Sequence, residues 1–112
     1  MIGILDSGIG GLSVWAEIVR LLPFESILYY ADTKNCPYGS RSPEQILSFS
    51  RTCVEWLVAR GVGIVVVACN TITGAAIDNF RAEFPSIRFV GMEPAIKPAA
   101  TASRSGVVGV LA

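Results

Sequence analysis

A cysteine at the end of an apolar run, followed at once by an amide and a hydroxyl, is a place where chemistry can start. Cys69-Asn70-Thr71 is such a place: Ile64–Ala68 reads as a buried strand, and a helix is expected to begin near Thr71. The amino end of a helix favours an anion, so a thiol there is biased toward the thiolate, which can act as a base or a nucleophile. Asn70 and Thr71 add side-chain donors and free backbone N–H groups that could hold a carboxylate beside the sulfur. The plain alternative is a small apolar residue filling a strand end, as free cysteines often do. The polar neighbours favour the reactive reading.

Asp6-Ser7-Gly8-Ile9-Gly10-Gly11 offers a second polar turn after an apolar run. Asp6 could position an ammonium group, or it could cap the turn and helix that follow, which is the commoner role of such residues. The glycines allow a tight turn and close approach of backbone to a ligand, although they also occur purely for packing. A dinucleotide site is the strongest rival, with Gly8-Ile9-Gly10 after a strand and Asp32 where a ribose-binding acid would stand. Against it, the third glycine position falls on Ser13, and Asp6 would set a carboxylate against the pyrophosphate. The remaining polar loop, Asp32-Thr33-Lys34-Asn35-Cys36-Pro37-Tyr38-Gly39-Ser40, could bring Cys36 or Tyr38 near a ligand, though an aromatic in a Pro-Gly turn more often packs the loop down. Cys53 lies on the apolar stripe of a helix and is expected in the core.

To bring these groups together the chain must place them on one rim. Short β-branched runs at Ile2–Leu5, Ser26–Ala31, Ile64–Ala68, Arg88–Gly91 and Gly106–Leu111 alternate with longer stretches of helical period. That is the pattern of an α/β fold, an open parallel sheet flanked by helices. Right-handed crossovers then put all the carboxyl ends of the strands, where ligands bind in such sheets, on one side. A first helix is expected near Leu12–Leu22, with Leu12, Trp15, Ile18, Val19 and Leu22 on one stripe and Pro23 stopping it. The next is signalled more fully, by Ser42 as cap, Pro43 in the first turn, an apolar stripe through Ile46, Phe49, Cys53, Trp56 and Leu57, and Gly61 at its end. A third is expected through Gly74–Phe84.

At 112 residues the chain is long enough for one core and too short for two. Nine basic and nine acidic residues cancel without any run of like charge, so neither nucleic acid nor an anionic membrane is an expected partner. The apolar segment Val62–Ala68 is far shorter than the roughly 20 residues of a bilayer-crossing helix. No secretory leader is recognisable in the first residues, and a cytoplasmic location is expected. Three widely spaced cysteines and no histidine speak for reduced thiols and against structural zinc. No metal is expected.

Four motifs, in order and in register, resemble those of glutamate racemases: Asp6-Ser7-Gly8-Ile9-Gly10-Gly11; Ala31-Asp32-Thr33 with Cys36-Pro37-Tyr38-Gly39; Val67-Ala68-Cys69-Asn70-Thr71; and Gly91-Met92-Glu93-Pro94. The resemblance covers essentially the whole chain. It implies a flavodoxin-like, three-layer α/β/α half of a two-domain racemase that interconverts L- and D-glutamate for peptidoglycan without pyridoxal phosphate, metal or other cofactor. Residues 1–96 would be the first domain, and 97–112 a linker and the first strand of a second. Two thiols perform the proton transfer in that family, and Cys69 matches the first. By the same match Asp6 and Ser7 would contact the substrate ammonium group and orient the thiol, while Tyr38, Gly39, Asn70 and Thr71 would hold its carboxylates. The family's second cysteine, in a Cys-Thr-His setting, has no counterpart here, and neither Cys36 nor Cys53 matches it. The implied partner is therefore a second half-domain, and the chain alone would not racemise; homodimers are common in the family. Racemisation of aspartate or another amino acid is the nearest alternative.

Overall fold

Four runs rich in isoleucine and valine do form strands. In the computed structural model, which describes residues 1–110, they are β1 (Ile2–Asp6), β2 (Ile27–Ala31), β3 (Ile64–Val67) and β4 (Arg88–Gly91). All pairings are parallel and the strand order is β2-β1-β3-β4, with Ile2 opposite Ile27 and Ile64, and Val67 opposite Gly91. β1 lies inside the sheet and every one of its residues is buried. Such a strand must be apolar on both sides, which is why Ile2–Leu5 reads as a continuous apolar run rather than an alternating one.

Helices cover the two faces, giving the expected three layers. On one side α2 (Pro43–Val58) and α3 (Asn70–Glu83) pack over Leu5, Val65, Val67 and Phe89, and contribute Val54, Leu57, Ile72 and Phe80 to the main core. Complete burial of a side chain such as Leu57 stabilises the fold by about 1.5–3 kcal/mol. The start of α2 follows its sequence signal: Ser42 Oγ accepts from Gln45 N at 3.3 Å, and Gln45 Oε1 accepts from Ser42 N at 3.2 Å, a reciprocal cap. Gly61, at φ +83°, makes the left-handed turn that separates α2 from β3. Among the described residues no helix is long and apolar enough to cross a membrane.

On the other face α1 (Leu12–Leu21) packs through Val14 and Ile18 against Ile2, Ile4 and Val66. The expected stripe is only partly right, since Leu12, Trp15 and Leu22 are 46%, 40% and 47% exposed. The helix is apolar on more than one side, so its period does not choose which side meets the sheet.

Two further expectations change. The segment Gly106–Leu111 was expected to be a strand, but residues 106–110 form none, with Val107 and Val110 exposed; Leu111 lies outside the described residues. No strand of the sheet takes these residues up, and an apolar run without a ladder partner has nothing to hold it extended. A fourth helix, α4 (Ile96–Ala102), occupies part of the stretch expected as linker. Pro98 is tolerated there because it falls in the first turn.

The core also carries acidic protons. Burial, followed by the charge of Asp32, pushes the Cys53 thiol from its ordinary 9.0 up to about 12. Burial first, then hydrogen bonding to a carboxylate, raises Tyr38 and Tyr29 above their ordinary 10.0, and burial also raises Tyr30. A group raised by folding contributes stability that is complete below its unfolded value and lost as pH climbs through its folded one. The melting temperature is therefore expected to stay level through neutrality and to fall above about pH 9, measured by circular dichroism; an unchanged value at pH 11 would contradict these burials.

Candidate active site

The carboxyl ends of the four parallel strands bring Asp6, Asp32, Cys69 and Met92 to one rim. Cys69 is the extended residue that caps α3, with φ −123° and ψ 120°. The first backbone bond of the helix runs from Thr73 N to Cys69 O at 2.9 Å, and no side chain caps the turn. The N–H groups of Asn70, Thr71 and Ile72 thus have no intrahelical acceptor. Cys69 is 9% exposed, while Asn70 is exposed and Thr71 half-buried. A groove of about 970 Å³ runs along α3 from Asn70 to Arg81, with Met92, Glu93 and the start of α4 on its other side. Cys69 is not part of that lining.

Across from this helix end stands Ser7, whose Oγ lies 3.4 Å from Cys69 Sγ. Sixty-two positions separate the two residues in sequence, and the β1–β3 pairing closes that gap. Ser7 is set in place by Asp6: its N–H donates to Asp6 Oδ1 at 2.8 Å. The other carboxylate oxygen accepts from Gly11 N at 2.7 Å and from the Tyr29 hydroxyl at 2.9 Å. Asp6 is 4% exposed and, among the described residues, has no cation at hand; three donors satisfy its oxygens instead. Of its two readings from sequence, the cap of the turn is the one its bonds express. Gly11 is the glycine that the turn requires, because a Cβ there would stand 2.8 Å from Ala68 Cβ and 3.0 Å from both Asp6 Oδ2 and the Tyr29 hydroxyl oxygen. These bonds also answer the dinucleotide reading. The Ser7 and Gly11 N–H groups that might have faced a pyrophosphate are already committed to a carboxylate.

Tyr38 and Gly39 are placed differently from one another. The Tyr38 ring is 2% exposed, and its hydroxyl donates to Asp32 Oδ2. Asn35 Nδ2 donates to both oxygens of the same carboxylate, at 3.1 and 2.9 Å. The hydroxyl of Tyr38 is therefore spent on holding its own loop, and the charge of Cys69 is among the weaker influences that raise it. Gly39 is exposed with open space around it, so backbone donors rather than the phenol are what this loop presents. Cys36 Sγ would lie 3.8 Å from a Cβ on Gly8, at the rim and exposed, whereas Cys53 is 2% exposed in the core as expected. Tyr29 escaped the reading of the sequence. It looks like any aromatic of a buried strand, and only the register of β2 against β1, Tyr29 opposite Ile4, carries its hydroxyl to Asp6.

The rim thus joins a thiol at a helix amino end to a hydroxyl against the sulfur, on a parallel α/β unit. No family model matches the chain. Glutamate racemase of Roseiflexus sp. strain RS-1 is 58% identical over 111 residues, which are 99% of this chain and 41% of that protein. The solved structure of glutamate racemase from Aquifex pyrophilus superposes with a TM-score of 0.83 at 40% identity, over 92% of this chain and 41% of the other. That of Escherichia coli glutamate racemase, in complex with L-glutamate and the activator UDP-MurNAc-ala, gives 0.83 at 37% identity over 93% and 40%. In sequence and in fold the chain is similar to glutamate racemases, and it spans about two fifths of the length of the curated relatives it matches.

Proposed function

We propose that the chain supplies one of the two thiols of a glutamate racemase. The observation that carries this is Cys69 at the uncapped amino end of α3 with Ser7 Oγ 3.4 Å from its sulfur. The Cys69 thiolate takes the α-proton from one enantiomer, the C–H electron pair staying on the substrate as a carbanion delocalised into its carboxylate. A second thiol, from a further domain, protonates the opposite face. The free N–H groups of Asn70 and Thr71, their side chains and the backbone at Gly39 bind carboxylates, and Ser7 steadies the sulfur. Residues 1–96 form the domain that bears this thiol, with 97–112 leading toward the other. No cofactor takes part. D-Glutamate made this way serves peptidoglycan synthesis, which places the enzyme in the cytoplasm.

Differential alkylation tests the reading. With iodoacetamide at neutral pH, peptide mass spectrometry is expected to find Cys69 modified at least tenfold faster than Cys53, because burial keeps Cys53 a thiol. Exposed Cys36 serves as the ordinary thiol for comparison. Glutamate should slow the labelling of Cys69 and leave Cys36 unaffected. Equal or better protection by aspartate would move the substrate assignment, protection by a dinucleotide would revive the nucleotide reading, and a Cys69 no faster than Cys53 would end the proposal.

A further inference from the structure

We infer that Tyr29 is a positioning residue of the thiol site: its hydroxyl holds the Asp6 carboxylate in the orientation that turns Ser7 toward Cys69. The inference rests on the reading of Cys69 as a working thiol. Tyr29 stands on β2, at the edge of the sheet, with its ring packed beside Ile2, Ile4 and Val66 on the α1 face. Its hydroxyl has two acceptors within reach, Asp6 Oδ2 at 2.9 Å and Gly8 O at 3.3 Å, and one proton to give. The shorter bond, to the charged acceptor, is the stronger. Every other donor to Asp6 comes from the turn that the carboxylate itself organises, namely Ser7 N and Gly11 N. Among the described residues Tyr29 is thus the one side chain that fixes the carboxylate from outside the turn, at a spot so tight that Gly11 has no room for a methyl group.

From there the chain of contacts is short. Tyr29 holds Asp6 Oδ2, Asp6 Oδ1 receives Ser7 N, and Ser7 Oγ meets Cys69 Sγ. Burial, the bond to Asp6 and the charge of Asp6 all raise the phenol above its ordinary value, so it remains a donor wherever the thiol works and cannot serve as a base. A serine hydroxyl that donates to sulfur favours the thiolate, and the benefit is greatest where thiolate is scarce.

Tyr29→Phe removes the hydroxyl and keeps the ring. Iodoacetamide labelling of Cys69 is expected to slow roughly tenfold at neutral pH, about the worth of one hydrogen bond to a charged group. The deficit should close toward pH 9, where an ordinary thiol ionises unaided. Ser7→Ala should give the same profile, and the double variant should be no slower than either alone, because residues acting in one chain of contacts are not additive. Cys53 reports whether the core stays closed. A Tyr29→Phe profile equal to that of the parent, additive effects in the double variant, or Cys53 opening along with Cys69 would each overturn the inference. A parent protein whose Cys69 is no faster than Cys53 would instead sink the thiol reading and the positioning role with it.

Discussion

Replacing Cys69 by alanine is expected to abolish exchange of the glutamate α-proton with solvent deuterium, a loss of about 10²- to 10⁴-fold, the usual contribution of a positioned base. The size of the effect follows from how the carboxylates and phenols at the ends of β1 and β2 are already engaged. Asp6 has given both oxygens to three donors. Asp32 is engaged by Asn35 and Tyr38, and both Tyr29 and Tyr38 are held protonated by burial and a carboxylate bond. Ser7 is an ordinary hydroxyl with no base beside it other than the sulfur. Exchange would be followed by proton NMR in deuterium oxide, with each enantiomer in turn. This chain carries one thiol of the proposed pair, so one enantiomer should exchange with its configuration kept, and the other only when a second half is supplied. Cys53→Ala should exchange normally, since that sulfur sits in the core against Phe49 O. Residual exchange in Cys69→Ala equal to that of the parent would remove the thiol from the chemistry.

That such a test can be framed from the sequence reflects where the physical signals are strong. Ile2–Leu5, Ile64–Ala68 and Arg88–Gly91 are short, β-branched and bounded by turn residues, and each is a strand within two residues of expectation. α2 carried its own cap, proline and terminating glycine, all three of which act as their chemistry requires. α3 begins at Asn70, one residue from the start expected near Thr71, although Thr71, Ile72 and Thr73 are weak helix formers by propensity and leave only Gly74–Phe84 plainly helical in the sequence. Ile72 at 0% and Thr73 at 6% exposure show what overrides it, the burial of that first turn against the core. α4 has no buried residue and hence no apolar stripe for periodicity to find, while Pro94 and Pro98 both read as breakers.

The rim was legible in its residue types and illegible in its bonds. Cys69 and Asp6 could be named because each follows an apolar run directly, and Ser7 because it opens the polar turn beside Asp6. That Ser7 rather than Asp6 meets the sulfur depends on which carboxylate oxygen faces which N–H, a matter of register and turn geometry that no spacing encodes. The same holds for Tyr38, whose motif is plain and whose hydroxyl turns inward to Asp32, and for Tyr29, whose partner lies on another strand.

Asp6 is where the two kinds of information can be separated by experiment. Asp6→Ala strands the Ser7 and Gly11 N–H groups and the Tyr29 hydroxyl, which now share its oxygens. An unpaired buried donor costs about 1–3 kcal/mol, and Gly11 is buried while the other two reach some water, so a loss of about 3 kcal/mol is expected. In urea that lowers the unfolding midpoint by about 1–2 M. Asp6→Asn should be milder, about 1 kcal/mol, because its oxygen can keep Gly11 N and Tyr29 while only the amide facing Ser7 N–H is mismatched. A residue that served only to bind the substrate ammonium group would behave in the opposite way, leaving the midpoint where it was in both variants and raising KM. A cap predicts instead that stability and Cys69 labelling fall together, and further in alanine than in asparagine.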